Sequence, residues 1–183
     1  MPHLDDPNFA RAVVLMIDHD DEGSFGLIIN RPTELKVASL LEDLELPWRG
    51  HPDVAAWAGG PVMPTSGWVL HETSASAEQS PATRRRGLEE GETVSVAPGV
   101  ALSSSPEALA LIAEDPPERT KFLLGYSGWG PGQLADEVAR GAWLHADARP
   151  ELLFDTPADE IWAGAVASLG IHPESIVPAQ GIH

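Results

Sequence analysis

The residues with the greatest chemical potential form one run, Gly125-Tyr126-Ser127-Gly128-Trp129-Gly130-Pro131-Gly132-Gln133-Leu134. A glycine turn that feeds a helix offers free backbone amides and the positive end of the helix dipole, a combination suited to an anion. The same glycines would equally allow a tight turn under Tyr126 and Trp129, whose rings then plug the core. Ser127 has the strand-to-helix context of a nucleophile elbow, but the pattern G-x-S-x-G needs Gly where Trp129 stands. Asp155 and His172 follow Ser127 in the order of a catalytic triad, and order without geometry makes no triad.

Asn30-Arg31-Pro32 is the second constellation. Asn30 can turn the chain, Arg31 can grip a carboxylate or phosphate in two-pronged fashion, and Pro32 fixes the exit. Asp18-x-Asp20-x-Glu22-Gly23 opens like a calcium loop, yet its twelfth position is Ile29 where a bidentate Glu is required, so a solvated hairpin tip is expected. The seven histidines, His19, His71 and His145 among them, show no metal-ligand spacing. Arg84-Arg85-Arg86 reads as a solvated charge run. No phosphate-loop motif is present and Gly128-x-Gly130-x-Gly132 is not a dinucleotide fingerprint, so neither a cofactor nor a metal is expected.

The elements that must carry these residues follow from periodicity. Arg11 to Ile17 and Phe25 to Ile29 are apolar runs joined by a polar loop, the pattern of an antiparallel hairpin that Pro32 stops. Val37, Leu40, Leu41 and Leu44 share one helical face. Short strands are expected at 54–58 and 67–71, separated by the turn Gly59-Gly60-Pro61, with a long exposed loop over 72–91. Strands at 93–96 and 99–102 precede a helix capped by Ser105 with Pro106 first, and Lys121 to Leu124 is a buried strand. After Pro131 the spacing of Leu134, Val138 and Gly141 predicts a helix that sets Gln133 and Glu137 one turn apart. Strands are expected at 143–146 and 151–154, then a last helix capped by Thr156 and stopped at Gly170. Hairpins with interspersed helices predict a single α+β domain over residues 1–183, a mixed, largely antiparallel sheet with helices packed around it.

Composition narrows the function. A 43% hydrophobic content with six Trp excludes a wholly disordered chain, and zero Cys excludes disulfide and cysteine-metal folds. No segment approaches the ~18 apolar residues of a membrane span, and the first residues lack the pattern of a signal peptide, so a cytoplasmic protein without a membrane partner is expected. A net charge of −17 with no basic helix disfavours direct DNA binding, whose affinity comes from Lys and Arg displacing counterions.

Taken together, Met1-Pro2, Leu4, Asp6-Pro7-Asn8-Phe9, His19, Gly23, Gly26-Leu27, Asn30-Arg31-Pro32, Gly59-Gly60-Pro61-Val62, Gly67, Leu70-His71, Gly125-Tyr126-Ser127-Gly128-Trp129, Gly132-Gln133-Leu134, Glu137, Trp143 and Asp155 resemble the YqgE/AlgH family of bacterial proteins. The match runs in order along almost the whole chain. The resemblance implies a small cytoplasmic α+β protein without established enzymatic activity, of a kind often labelled transcriptional regulators. Family members usually carry a short apolar strand ahead of the Met1-Pro2 match, so this chain is either shorter by an edge strand or starts upstream. The position of Ser127 is often Ala in the family, which counts against a serine nucleophile.

Three turns rich in Gly and Pro follow strands, and strand ends gather at one rim. The expected ligand-binding set is therefore Asn30, Arg31, Gly60, Pro61, His71, Ser127, Gly128, Trp129, Gln133 and Glu137, with Arg31 and the 128–132 turn sharing one anion-compatible pocket. This describes a non-enzymatic regulatory or binding module for a small ligand, an anion among the candidates, or a protein partner, acting as a monomer or weak homodimer. The alternative is a hydrolase or transferase of unknown substrate that uses the Gly125–Gln133 loop, with Ser127, His71 or Glu137 as the reacting group.

Overall fold

The computed structural model describes residues 9–74 and 80–176, so the family-like residues from Met1 to Asn8 lie outside the described part. Among the described residues, eight strands form one sheet nearly closed into a barrel: β1 (Val14–Asp20), β2 (Gly23–Ile28), β3 (Pro32–Lys36), β4 (Ala55–Ala58), β5 (Val62–Glu72), β6 (Val94–Ala97), β7 (Val100–Ser103) and β8 (Thr120–Trp129). The helices are α1 (Val37–Glu42), α2 (Pro81–Glu89), α3 (Pro106–Glu114), α4 (Gln133–Ala139) and α5 (Ile161–Ala167). The single α+β domain with a largely antiparallel sheet is as expected.

β8 is the hub. It pairs antiparallel with β2 at its C-terminal end, antiparallel with β5 on its other side, and parallel with β4. β7 and β6 continue the sheet beyond β5. β7 and β8 are both antiparallel to β5 and so run in the same direction, joined by α3 across the intervening strand.

To move from β4 on one side of β8 to β5 on the other, the chain crosses directly over β8 at Gly59-Gly60-Pro61. Gly59 N donates to Leu124 O at 2.7 Å and Gly59 O accepts from Ile28 N at 2.8 Å, which wedges the turn between β2 and β8. No side chain fits at the crossing. A Cβ on Gly60 would stand 2.2 Å from the Tyr126 carbonyl carbon, and one on Gly125, whose φ is +70°, would stand 2.4 Å from Gly60 O. Gly125 also shifts the in–out alternation of β8 by one residue. Leu123 packs into the main core on one face and Leu124 against the second core on the other, and after Gly125 it is Tyr126 that rejoins the Leu123 side.

The main core joins Leu15, Ile17, Leu27, Leu70, Leu102 and Leu123 to Leu153 and Ile161. The smaller one packs α1 and α3, through Val37, Leu41, Ile112 and Ala113, on Val69 and Phe122. Lys121 is buried between strands and pairs with no carboxylate among the described residues: Nζ donates to Ile29 O at 3.0 Å and lies 3.8 Å from the centre of the Trp57 ring. Burial pushes its pKa down to about 8.

Several local expectations are corrected. Residues 72–91 are not one loop: β5 reaches Glu72, and α2 follows, capped by the Ser80 hydroxyl accepting from Thr83 N. The Arg-rich composition of α2 hid it because its packing face is short, using Gly87 and Leu88 against β6. Pro32 does not stop β2; it opens β3, the first position of an edge strand where a missing amide costs nothing. Gly125 to Trp129 is strand rather than turn. Residues 143–146 form no strand, and Glu151–Asp155 is a π-helical turn, because short apolar runs do not distinguish strand from buried helix. Thr156 donates back to Glu151 O instead of capping a helix, and α5 begins later at Ile161. The Ser105 cap of α3 and the helix after Pro131 are present as expected.

Two predictions follow from backbone contact and burial. Gly60→Ala should destabilise by about 3 kcal/mol or more, whereas Gly132→Ala, at φ +73° with nothing within 4 Å, should cost only about 1 kcal/mol in a denaturant melt. For Lys121 the folded pKa lies below the ordinary 10.5, so the unfolded chain holds the proton more tightly between about 8 and 10.5. Stability relative to Lys121→Met should therefore be flat below pH 8 and rise by about 3 kcal/mol from pH 8 to 10.5, as read from urea melts of both proteins. Parallel pH profiles would remove the assignment.

Candidate functional site

The sequence-selected residues fall into three separate structural devices. In the first, the Asn30 side chain accepts from Val13 N at 2.9 Å and donates to Arg11 O at 2.9 Å, tying the segment before β1 to the end of β2 where Arg11 has a φ of +53°. Arg31 donates to Ala10 O. Its guanidinium is thereby held on the segment before β1, and Arg31 lines neither of the two clefts that Trp129 borders. Arg31 and the 128–132 turn therefore do not form the shared pocket expected of them.

In the second device, Ser127 is fully buried beneath the glycine crossing, its Oγ 3.4 Å from Gly59 O. His71 lies at the other end of β8, paired with Thr120, and its Nε2 is 3.0 Å from Ser103 Oγ. Ser127, His71 and Glu137 are thus not brought together. Gly60 and Pro61 belong to the crossing itself.

The third device is a self-satisfied network. Glu137 Oε2 accepts from Trp129 Nε1 at 3.0 Å and Trp143 Nε1 at 2.7 Å, while Oε1 accepts from Gln133 Nε2 at 3.0 Å. Gln133 Oε1 in turn accepts from Gly130 N at 3.1 Å, occupying an amide that an anion would need. The rings of Phe9, Trp129 and Trp143 pack around this carboxylate with centroids 5.7–6.1 Å apart.

An open cleft of about 560 Å³ lies elsewhere, between α2 and the sheet. Its wall is aromatic: Phe25 from β2, Trp68 from β5 and Tyr126 from β8 meet with ring centroids 5.0–6.3 Å apart, and Trp129 and Met63 border them. Gly128 stands exposed beside Tyr126, its absent side chain leaving that ring uncovered. The cleft is also lined by Asp18, Glu22, Arg85, Leu88 and Glu89, with Asp18 directly across the β1–β2 pair from Phe25.

Arg85 reaches from α2 to the β1–β2 hairpin, contacting Asp18, Asp20 at 3.0 Å and Glu22 at 3.3 Å. Burial works against the Arg85 charge, and Asp18 and Asp20 outweigh it, holding the pKa above the ordinary arginine value. The Asp20 carboxyl is held below its ordinary value, first by the Glu22 amide it accepts from and also by Arg85. Asp18 is 3% exposed, and among the described residues neither its Oδ1 nor the buried Trp68 Nε1 has a hydrogen-bond partner. Buried polar atoms left unpaired are uncommon and ask for an explanation.

Tyr126 and Trp129, singled out in the sequence, both line this cleft, whereas Phe25, Trp68, Asp18 and Arg85 were not singled out as a group. The signal was present in the complementarity of Asp18-x-Asp20-x-Glu22 and Arg84-Arg85-Arg86, each of which in isolation reads as solvated charge. Among the described residues no cluster of His, Asp and Glu is arranged to hold a metal ion, and no helix is long and apolar enough to cross a membrane.

The fold and its cleft define a small single-domain α+β protein built on a nearly closed, glycine-crossed barrel. The profile of the AlgH-like family matches residues 1–174, and the chain belongs to that family. It is 38% identical over 187 residues to the UPF0301 protein AlgH of Pseudomonas aeruginosa, covering 100% of this chain and 91% of that one. It is 36% identical to a UPF0301 protein of Myxococcus xanthus, covering 100% and 94%. The solution structure of the AlgH protein from Pseudomonas aeruginosa superposes with a TM-score of 0.73 at 37% identity, over 100% of this chain and 91% of that chain. A crystal structure of a Corynebacterium diphtheriae protein shares the fold at a TM-score of 0.64 and 23% identity, over 89% and 80%.

The Glu137 network yields a graded expectation. Glu137→Leu strands two indole N–H groups and should cost about 2–4 kcal/mol, whereas Glu137→Gln keeps an acceptor for both indoles and should cost about 1 kcal/mol. Denaturant melts measure the cost, and the Trp129 and Trp143 indole resonances should lose exchange protection only in the Leu variant.

Proposed function

We propose that this protein is a non-enzymatic binding module that recognises a small ligand or a protein partner in the cleft beneath α2. The observation that carries the reading is an aromatic wall beside a buried carboxylate, one oxygen of which has no hydrogen-bond partner among the described residues, in a space of about 560 Å³. Stacked rings supply apolar contact and a few placed polar atoms supply orientation, the composition of a recognition site. Of the residues selected from sequence, Trp129 lines the cleft directly and Gly128 leaves its Tyr126 wall bare. Asn30, Arg31, Gly60, Pro61, His71, Ser127, Gln133 and Glu137 contribute by holding the strands that carry it.

A regulatory role of this module is exerted through its ligand or partner and not through DNA, since a chain of net charge −17 repels a polyanion. A cytoplasmic monomer or weak homodimer suits such a role.

A chemically mixed set of small cations, anions and neutral aromatic compounds, titrated into wild type and Ser66→Trp, tests the site. Ser66 lines the cleft, and a Trp there fills it. At least one compound class should shift the Phe25, Trp68 and Tyr126 resonances of the wild type and leave the folded variant unaffected. Equal responses from both proteins, or none from either, would remove the cleft as the site.

A further inference from the structure

The cleft has a charge preference opposite to that expected from the glycine turn. Its lining carries Asp18, Glu22 and Glu89 against the single cation Arg85, and Asp20 adds a further carboxylate just behind. The carboxylates of the hairpin are spaced around a guanidinium, not around a point ion: Arg85 touches three of them. One oxygen of Asp18 is left over, on a side chain that is 3% exposed. Lining the same cleft are the rings of Phe25, Trp68 and Tyr126, with Phe25 the cross-strand neighbour of Asp18, and aromatic faces attract organic cations. Excess carboxylate, an unused buried acceptor and an aromatic wall each disfavour an anion and each favour the same ligand.

From this we infer that the cleft binds a guanidinium or ammonium group on an organic stem, the chemistry of an arginine or lysine side chain presented by a peptide or by a free basic molecule. The cation lies beside Arg85, meets the exposed carboxylates of Glu22 and Glu89 with the buried Asp18 charge behind them, and covers its stem with the Trp68 and Tyr126 rings. Arg85 already demonstrates that the hairpin accepts a guanidinium, and the net negative balance leaves attraction for a second. The field of the whole acidic chain adds to it at low ionic strength.

This rests on the cleft being the site. The probes are N-acetyl-arginine methylamide and its uncharged isostere N-acetyl-citrulline methylamide, titrated into the full chain and followed by Trp fluorescence and by amide shifts at Phe25, Trp68 and Tyr126. The arginine compound should bind with a Kd of about 1 mM or tighter, weaken as salt is added, and exceed the citrulline compound by about tenfold. Asp18→Asn should abolish that preference. Because Asp18 also holds α2, the double substitution Glu22→Gln with Glu89→Gln, both at exposed positions, provides a second variant and should weaken the arginine compound several-fold. Equal binding of the two compounds, or an unchanged preference in the double variant, would overturn the inference. An anion or neutral compound that binds the cleft where these cations fail would overturn it while leaving the cleft as the site; failure of every compound class would remove both.

Discussion

The close approach of two backbones, Gly59-Gly60 over Gly125, is the constraint on which the architecture depends. A chain can leave one side of a central strand and return on the other only by passing over it, and backbone atoms this near exclude every Cβ. The crossing has three consequences. It gives β8 partners on both sides, β2 and β4 on one and β5 on the other. It buries Ser127 completely under the Gly59 carbonyl. Through the φ of +70° at Gly125 it also shifts the alternation of β8, so that Tyr126 enters the main core side and reaches the cleft.

The barrel is left open between β1 and β6, and α2 closes the gap by packing on both. An exposed edge would offer unpaired backbone groups to other chains, and Arg84 caps one of them by donating to Ile17 O at 3.2 Å. Arg85 holds the other end through the hairpin acids, a partly buried ion cluster in which Asp18 would be a costly isolated charge without its guanidinium. Closure by a helix and ions instead of a ninth strand creates the cleft, because a helix standing off from a sheet leaves room that a strand at hydrogen-bonding distance would fill.

Local elements with an unambiguous chemical signal were legible in the sequence. The β1–β2 hairpin, the Ser105-Pro106 start of α3 and the α4 helix after Pro131 all follow from periodicity or capping, which act within a few residues. The glycine run was legible as special but misread as a loop, since nothing in its own residues says that another segment, Gly59-Gly60, crosses it. Helix α2 was hidden for a related reason: its stability comes from Arg85 reaching carboxylates 63 to 67 residues away, and a single run of arginines carries no trace of that partner. Asn30 and Arg31 had the polar groups for a ligand, yet their donors go to the carbonyls of residues 10 and 11 and the Asn30 oxygen accepts from the amide of residue 13, a demand visible only once that segment kinks at Arg11.

Polar satisfaction separates the groups that maintain the fold from those free to recognise something else. Glu137 receives three N–H donors, Asn30 makes two backbone bonds, and Arg31 is held on Ala10, so each would have to give up an existing bond to hold a ligand. Asp18 Oδ1 and Trp68 Nε1 give up nothing, because among the described residues they have no hydrogen-bond partner. A ligand gains most where the protein has already met the cost of desolvating its polar atoms and left them unpaired. Both atoms belong to residues of the one cleft that α2 closes, so the helix that completes the barrel is also the element that leaves these groups waiting for a partner.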